Sequence, residues 1–252
     1  MLCSAAANAD DLTICADRPG KATATCTVPA RHWQLETGLA DWSLQKSDSE
    51  RDTSLAIGES TIKLGLSDSS NVEVDVTPWQ RATSSVGGVH DSASGLGDVN
   101  VLYKQRLTDS GAPLQVSALP FVKIPTASHS LGNGKWEGGL LLPIGYSIPK
   151  TPLSLAFTPE IDWAADADGH GHHAAMAQVA SFGWAATKKL SLSTELWGQW
   201  NWDPAGTVRQ YSADASIAYL PSRRVQLDAG ANLGLNRNTP DVELYAGVAK
   251  LF

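Results

Sequence analysis

The sequence predicts an all-β chain closed into a transmembrane, antiparallel, up-and-down barrel of about twelve strands, and three observations carry that expectation. From Arg31 onward, apolar and polar residues alternate with a period of two through about twelve segments of ten to fifteen residues. The connections between these segments alternate in length, and short turns on one rim with longer loops on the other are the barrel pattern. Eight of the nine tryptophans fall near segment ends, where amphipathic rings favour a membrane–water interface.

Taken in order, the first segment (32–44) sets Trp33, Leu35 and Leu39 against His32, Gln34 and Glu36. The second (54–66) opposes Ser60, Ile62, Leu64 and Leu66 to Glu59, Thr61 and Lys63. The third (72–82) sets Val72, Val74 and Val76 against Glu73, Asp75, Thr77 and Arg81. In the fourth, Val99, Val101, Tyr103 and Leu107 oppose Asp98, Asn100, Lys104 and Arg106. Segments 114–125 and 136–148 follow. In 153–163, Leu153, Leu155, Phe157, Ile161 and Trp163 point outward while Glu160 and Asp162 point inward. Segments 174–186, 190–202, 210–220 and 225–235 lead to the terminal strand. There Val242, Leu244, Ala246, Val248 and Phe252 share one face, with Lys250 the single misfit, and Asp241, Glu243, Tyr245 and Gly247 share the other. A closing strand that ends on an aromatic is the feature by which barrel-assembly machinery would be engaged. Long connections are expected at 45–52, 84–95, 126–135, 165–173, 203–206 and 236–240. On this layout Trp42, Trp79, Trp136, Trp163, Trp200 and Trp202 form one aromatic belt, and Trp33, Trp184, Tyr219 and Phe252 form the other.

Composition agrees. Charged residues make up 18%, below the roughly 25% usual in soluble domains. No run reaches the ~18 consecutive apolar residues of a membrane helix. The net charge of −7 argues against a nucleic-acid partner. Residues 1–9 read as the remnant of a signal peptide, with Ala7-Asn8-Ala9 as a small-x-small cleavage site. Residues 10–30, polar and irregular, are expected to hang in the periplasm or to plug the barrel formed by 31–252. Cys15 and Cys26 are an even pair in an exported chain, so a disulfide is expected, worth about 3 kcal/mol by the chain-entropy estimate.

The inward face is expected to carry Glu36, Glu59, Lys63, Glu73, Asp75, Lys104, Arg106, Lys123, Glu137, Glu160, Asp162, Glu195, Asp214, Asp228 and Glu243. So many charges would ruin the dry core of a β-sandwich, whereas a hydrated lumen tolerates them. Pro78, Pro120, Pro143 and Pro159 fall within strands, where proline removes a ladder donor and marks bulges or kinks. Two readings stay open: curvature alone, or a lateral gap at Pro120 and Pro143 through which an apolar solute leaves into lipid.

Several stretches resemble one Gram-negative family. Asp17-Arg18-Pro19-Gly20-Lys21, then Val28-Pro29 and His32-Trp33-Gln34-Leu35-Glu36, is similar to the opening of outer-membrane transporters catalogued as "MetA-pathway of phenol degradation". Residues 119–126, Glu195-Leu196, Gln226-Leu227-Asp228 and Tyr245-Ala246-Gly247-Val248 resemble the same family. The resemblance implies a barrel in the outer membrane that passes hydrophobic, often aromatic, compounds. Lys250 and the Cys15/Cys26 pair depart from the family's pattern.

Three of the six histidines fall in 166–173. Imidazoles beside carboxylates bind Zn, Cu or Ni, but a flexible loop sets no geometry. No native metal site is therefore expected, with His170, His172 and His173 the weak candidates. No cofactor motif occurs, nor a serine nucleophile in a G-x-S-x-G setting, so catalysis is not expected. The expected function is passive uptake of small, hydrophobic or aromatic compounds across the outer membrane, with membrane lipid and a small solute as partners. The alternatives are a non-conducting structural or adhesive barrel presenting its loops, and a soluble calycin-like barrel.

Overall fold

The computed structural model describes residues 12–47 and 49–252; the expected signal-peptide remnant 1–9 lies outside the described residues. Among the described residues there are sixteen β-segments and no helix. They are β1 (Trp33–Lys46), β2 (Glu50–Ile57), β3 (Glu59–Ser67), β4 (Ser70–Val76), β5 (Trp79–Val86), β6 (Val89–Gly95), β7 (Val99–Arg106) and β8 (Leu114–Ile124). Then come β9 (Glu137–Leu141), β10 (Ile144–Ser147), β11 (Leu153–Ala165), β12 (His172–Ala185), β13 (Leu190–Asp203), β14 (Gly206–Ser222), β15 (Val225–Gly234) and β16 (Val242–Leu251). Four wall strands are each made of two segments, β2/β3, β4/β5, β6/β7 and β9/β10, so the wall has twelve strands. Every neighbour pair is antiparallel, and β16 pairs with β1 from Gln34↔Leu251 to Leu44↔Val242. Closure removes the free edges that lipid would not tolerate.

The wall is apolar outside and charged inside. Leu39, Ile62, Leu64, Leu155, Ile161, Leu196 and Leu244 are exposed, while Glu36, Lys63, Glu73, Lys104, Glu195, Asp214 and Asp228 are buried. Period two in each strand produces this inversion directly. At the rim that carries the C-terminus, Trp33 and Phe252 stack with ring centroids 4.0 Å apart. Lys250, the apparent misfit, lays its stem outward and places Nζ 4.4 Å from the Phe252 ring centroid.

Two expected loops are instead strand. Most of 84–95 belongs to the β5–β6 hairpin, paired from Gln80↔Gly95 to Val86↔Val89. Gly87 and Gly88 supply the two positive φ values, 56° and 87°, of a two-residue turn. Within 45–52, β1 and β2 likewise pair out to Lys46↔Arg51. Beyond the lipid both faces of a hairpin meet water, so apolar alternation fades while backbone pairing continues.

Strand pairing continues past Pro120 and Pro143 in one register. Pro143 separates β9 from β10, yet Val116↔Ile144 and Leu119↔Leu141 keep one register across the break. On the other side Phe157↔Ile144 and Glu160↔Leu141 do the same. Ser117 N–H still donates to the Pro143 carbonyl (2.9 Å), and Leu142 N–H to that of Pro159 (2.9 Å). Pro120 interrupts β7–β8 between Leu102↔Phe121 and Gln105↔Ala118, again without a shift. Each proline costs one donor and no residue is inserted, so of the two open readings at Pro120 and Pro143 the continuous register favours curvature over a lateral gap.

Candidate functional site

Residues 12–30 run inside the barrel. Ile14 N–H donates to the Arg223 carbonyl (2.8 Å) at the near rim, the one with the C-terminus. Gln34 then holds Cys15 by two bonds, Cys15 N–H to its Oε1 (3.0 Å) and its Nε2 to the Cys15 carbonyl (2.7 Å). The chain climbs to Gly20 and returns, and Cys26 is bonded to Cys15 with their Cα atoms 5.8 Å apart. On the way out Val28 N–H donates to Asn71 Oδ1 (3.1 Å). Residues 15–26 are thus a stapled loop standing in the lumen.

Asp17 to Lys21 form its apex, and each charge there meets an opposite one on the wall. The Asp17 carboxylate bridges Lys63, in a short contact, and Lys104 (2.8 Å). Lys63 also meets Glu36 (2.5 Å), and Lys104 meets Glu73 (3.3 Å). Burial opposes ionisation of Asp17, but Lys104 and Lys63 outweigh it and hold the carboxyl well below its usual range. Arg18 pairs with Asp228 (3.1 Å), while its carbonyl accepts from Gln226 (2.7 Å). Lys21 N–H donates to Glu195 (2.7 Å), and its ammonium lies 3.5 Å from Glu243. Gly20 sits at φ 91°, and a Cβ there would lie 2.8 Å from the Glu195 carboxylate. Only glycine fits that approach.

The fifteen inward residues therefore divide. Glu36, Lys63, Lys104, Glu195, Asp228 and Glu243 hold the plug, and Glu73 pairs with the two lysines. Glu59 and Asp75, with Asp41 and Asp98, line a cavity of about 290 Å³ above it that Arg18 and Lys21 enter. Lys123 braces the far-rim loop, bridging Asp98 (3.2 Å) and Glu137 (2.5 Å). Arg106 stays at the near rim and donates to the Asp68 carbonyl (2.8 Å). Glu160 lines a second cavity and Asp162 follows it up β11. Asp214 is buried, with both carboxylate oxygens lacking a protein donor.

Opposite the charged contacts, β10–β14 turn small residues to the lumen. Gly145, Ala156, Ser181, Gly183 and Ser193 leave a cavity of about 600 Å³ beside the returning limb of the plug. A further 370 Å³ lies above, lined by Ala177, Val179 and Trp197. Thr158 Oγ1, Ser212 Oγ and Asn232 Oδ1 line this upper space without a protein hydrogen-bond partner. Lys21 and Glu195 stand between the two spaces. Trp197 is the tryptophan that neither expected belt includes, and it lines the upper cavity. Its parity with Glu195 was the signal, and Lys21 Nζ lies 5.5 Å from its ring centroid.

The histidine stretch makes a hydrogen-bonded turn and the start of a strand. Residues 166–171 form a turn braced by Asp166 N–H to the Gly171 carbonyl (3.1 Å) and Ala167 N–H to Asp203 (2.8 Å). His172 and His173 already belong to β12. His172 stacks on Trp163 (3.5 Å), His173 lies between Asp166 and Asp203, and His170 belongs to the turn.

An apolar belt around a closed antiparallel wall with charges inside defines an outer-membrane β-barrel. The family model described as "Putative MetA-pathway of phenol degradation" matches residues 16–251, and the chain belongs to that family. Among solved structures it is similar to the COG4313 outer membrane channel from Pseudomonas putida F1, with 14% identity, TM-score 0.72 and coverage of 93% of this chain and 99% of that one. It is also similar to the CymD monoaromatic hydrocarbon channel at 9% identity, TM-score 0.49 and 88% of each chain. A loop-deletion mutant of OmpT from Vibrio cholerae matches at 10% identity, TM-score 0.47, and 87% and 98% coverage. No curated protein sequence matches.

Lys63→Met should destabilise the barrel by about 3–5 kcal/mol, the cost of stranding buried carboxylates. Adding Glu36→Gln should recover part of it, read as the temperature at which the compact electrophoretic form is lost. The Cys15→Ser/Cys26→Ser pair releases about 3 kcal/mol of loop constraint. Amide exchange over 15–26 should rise by roughly a hundredfold while β11–β14 stay unchanged.

Proposed function

We propose that this protein is a passive outer-membrane channel for small, hydrophobic or aromatic compounds, which pass between the plug and the small-residue wall of β10–β14. The observation that carries this reading is the one-sidedness of the lumen. Charge pairs fill the side of β1, β3, β4 and β7, while cavities of about 600 and 370 Å³ flank the Lys21–Glu195 contact on the other. Val179, Ala177 and the Trp197 ring offer an apolar surface, and Thr158, Ser212 and Asn232 offer hydrogen bonds to a polar substituent. A narrow bore suits twelve strands, since diameter grows with strand number. The family's link to phenol degradation and the channel named from Pseudomonas putida support the same reading. Its partners are then membrane lipid, the solute and, during assembly, the barrel-assembly machinery engaging β16.

Liposome swelling tests it. Ala156→Trp should slow permeation of small aromatic solutes by more than half, and Glu195→Ala should speed it. Both should keep the compact electrophoretic form. Asp41, Glu59, Asp75, Asp98 and Glu243 outnumber Arg18 and Lys21 in the upper chamber, so reversal potentials should show a weak cation preference. A native protein that conducts nothing, as a purely structural or adhesive barrel would, ends the proposal. So does an Ala156→Trp variant that conducts as well as the native one.

A further inference from the structure

Asp166, His173 and Asp203 converge at the far rim from three places in the chain. They are the first residue of the 166–171 turn, the second residue of β12 and the last residue of β13. One ligand atom from each lies within 4.8 Å of the others. His173 Nδ1 is 2.8 Å from Asp166 Oδ1 and 3.7 Å from Asp203 Oδ2. All three side chains are close to nine-tenths buried, at 7%, 12% and 10% exposure. We propose that these three residues form a binding site for a divalent first-row transition ion such as Zn²⁺ or Cu²⁺, joining the turns at 166–171 and 204–205.

Three features point to a metal ion. The first is the far side of the ring, where His173 Nε2 lies 2.5 Å from Asn201 Oδ1. An amide oxygen only accepts, so Nε2 carries a hydrogen; Nδ1 faces the two carboxylates, and without an ion it too carries a hydrogen, donated to Asp166, which a bound ion would replace. A metal-ligating imidazole usually donates its remote N–H to a carbonyl or carboxylate, the place Asn201 takes here. The second is charge. A proton on Nδ1 leaves two partly buried carboxylates sharing one positive charge, whereas a divalent ion neutralises them with the ring uncharged. The third is distance. Bonds of about 2.1 Å at tetrahedral angles put ligand atoms roughly 3.4 Å apart, and the observed 2.8 and 3.7 Å bracket that value.

Asp203 is also preorganised, with Oδ1 accepting from Ala205 N–H (2.7 Å) and Oδ2 from Ala167 N–H (2.8 Å). One nitrogen and two oxygens suit Zn²⁺, Cu²⁺ or Ni²⁺ better than Ca²⁺ or Mg²⁺, which take oxygen alone. The two remaining histidines stand apart. His172 Nε2 meets the Trp136 carbonyl (2.8 Å), and His170 contributes no ligand atom to the cluster.

The test is calorimetric titration of the chelator-stripped, full-length protein in detergent with ZnCl₂, then CuCl₂. One equivalent should bind, copper more tightly than zinc. His173→Ala and Asp203→Asn should each weaken binding at least tenfold, and a His170→Ala/His172→Ala double variant should leave it unchanged. Asn201→Leu should weaken it by 10–100-fold as the loss of an outer partner. No binding to the native protein, or binding lost in the double variant and kept in Asp203→Asn, overturns the site and would show the cluster to be a hydrogen-bonded brace. Should His173→Ala fail to fold, Asp203→Asn and the double variant still decide.

Discussion

Two lysine side chains, Lys63 and Lys104, lie almost wholly out of water inside a wall whose outer face is apolar. A charge in that position is costly unless it is paired and hydrogen-bonded. The wall alone offers Glu36 and Glu73; Asp17, carried in on the N-terminal segment, completes the set by bridging both lysines. The plug is therefore part of the electrostatics of the barrel rather than an insert in a finished pore. The same logic recurs at Arg18 with Asp228 and at Lys21 with Glu195 and Glu243.

Because the charges are unevenly distributed around the wall, the plug is held to one side. Strands β1, β3, β4 and β7 supply the lysines and most of their counter-charges. Strands β10–β14 instead turn glycine, alanine and serine inward and leave space beside the plug. The contacts that seat the plug thus also decide where the lumen stays open. At the apex Gly20 lets the backbone approach Glu195 more closely than any side chain would permit.

The far rim follows different rules. There β5 and β6 leave the lipid and both their faces meet water, so pairing outlasts patterning. The turn at 166–171 is ordered by bonds to its own carbonyl and to Asp203, and three ligand-type side chains come together where no sequence spacing announces them.

The sequence by itself determined what depends on neighbours two residues apart. The alternation of Val242 to Phe252, the parity of Glu160 with Asp162 and the phase of Leu153 to Trp163 set which face meets lipid, and twelve such stretches imply closure. Register and pairing across the lumen were decided only by the tertiary structure, because they bring together residues far apart in the chain. Asp17 finds Lys104, Arg18 finds Asp228, and His173 finds Asp203 through strand order and stagger. Local alternation is blind to these. Pro143 shows the same division: its missing donor was legible, but only the pairing on both sides revealed that the register is kept across it.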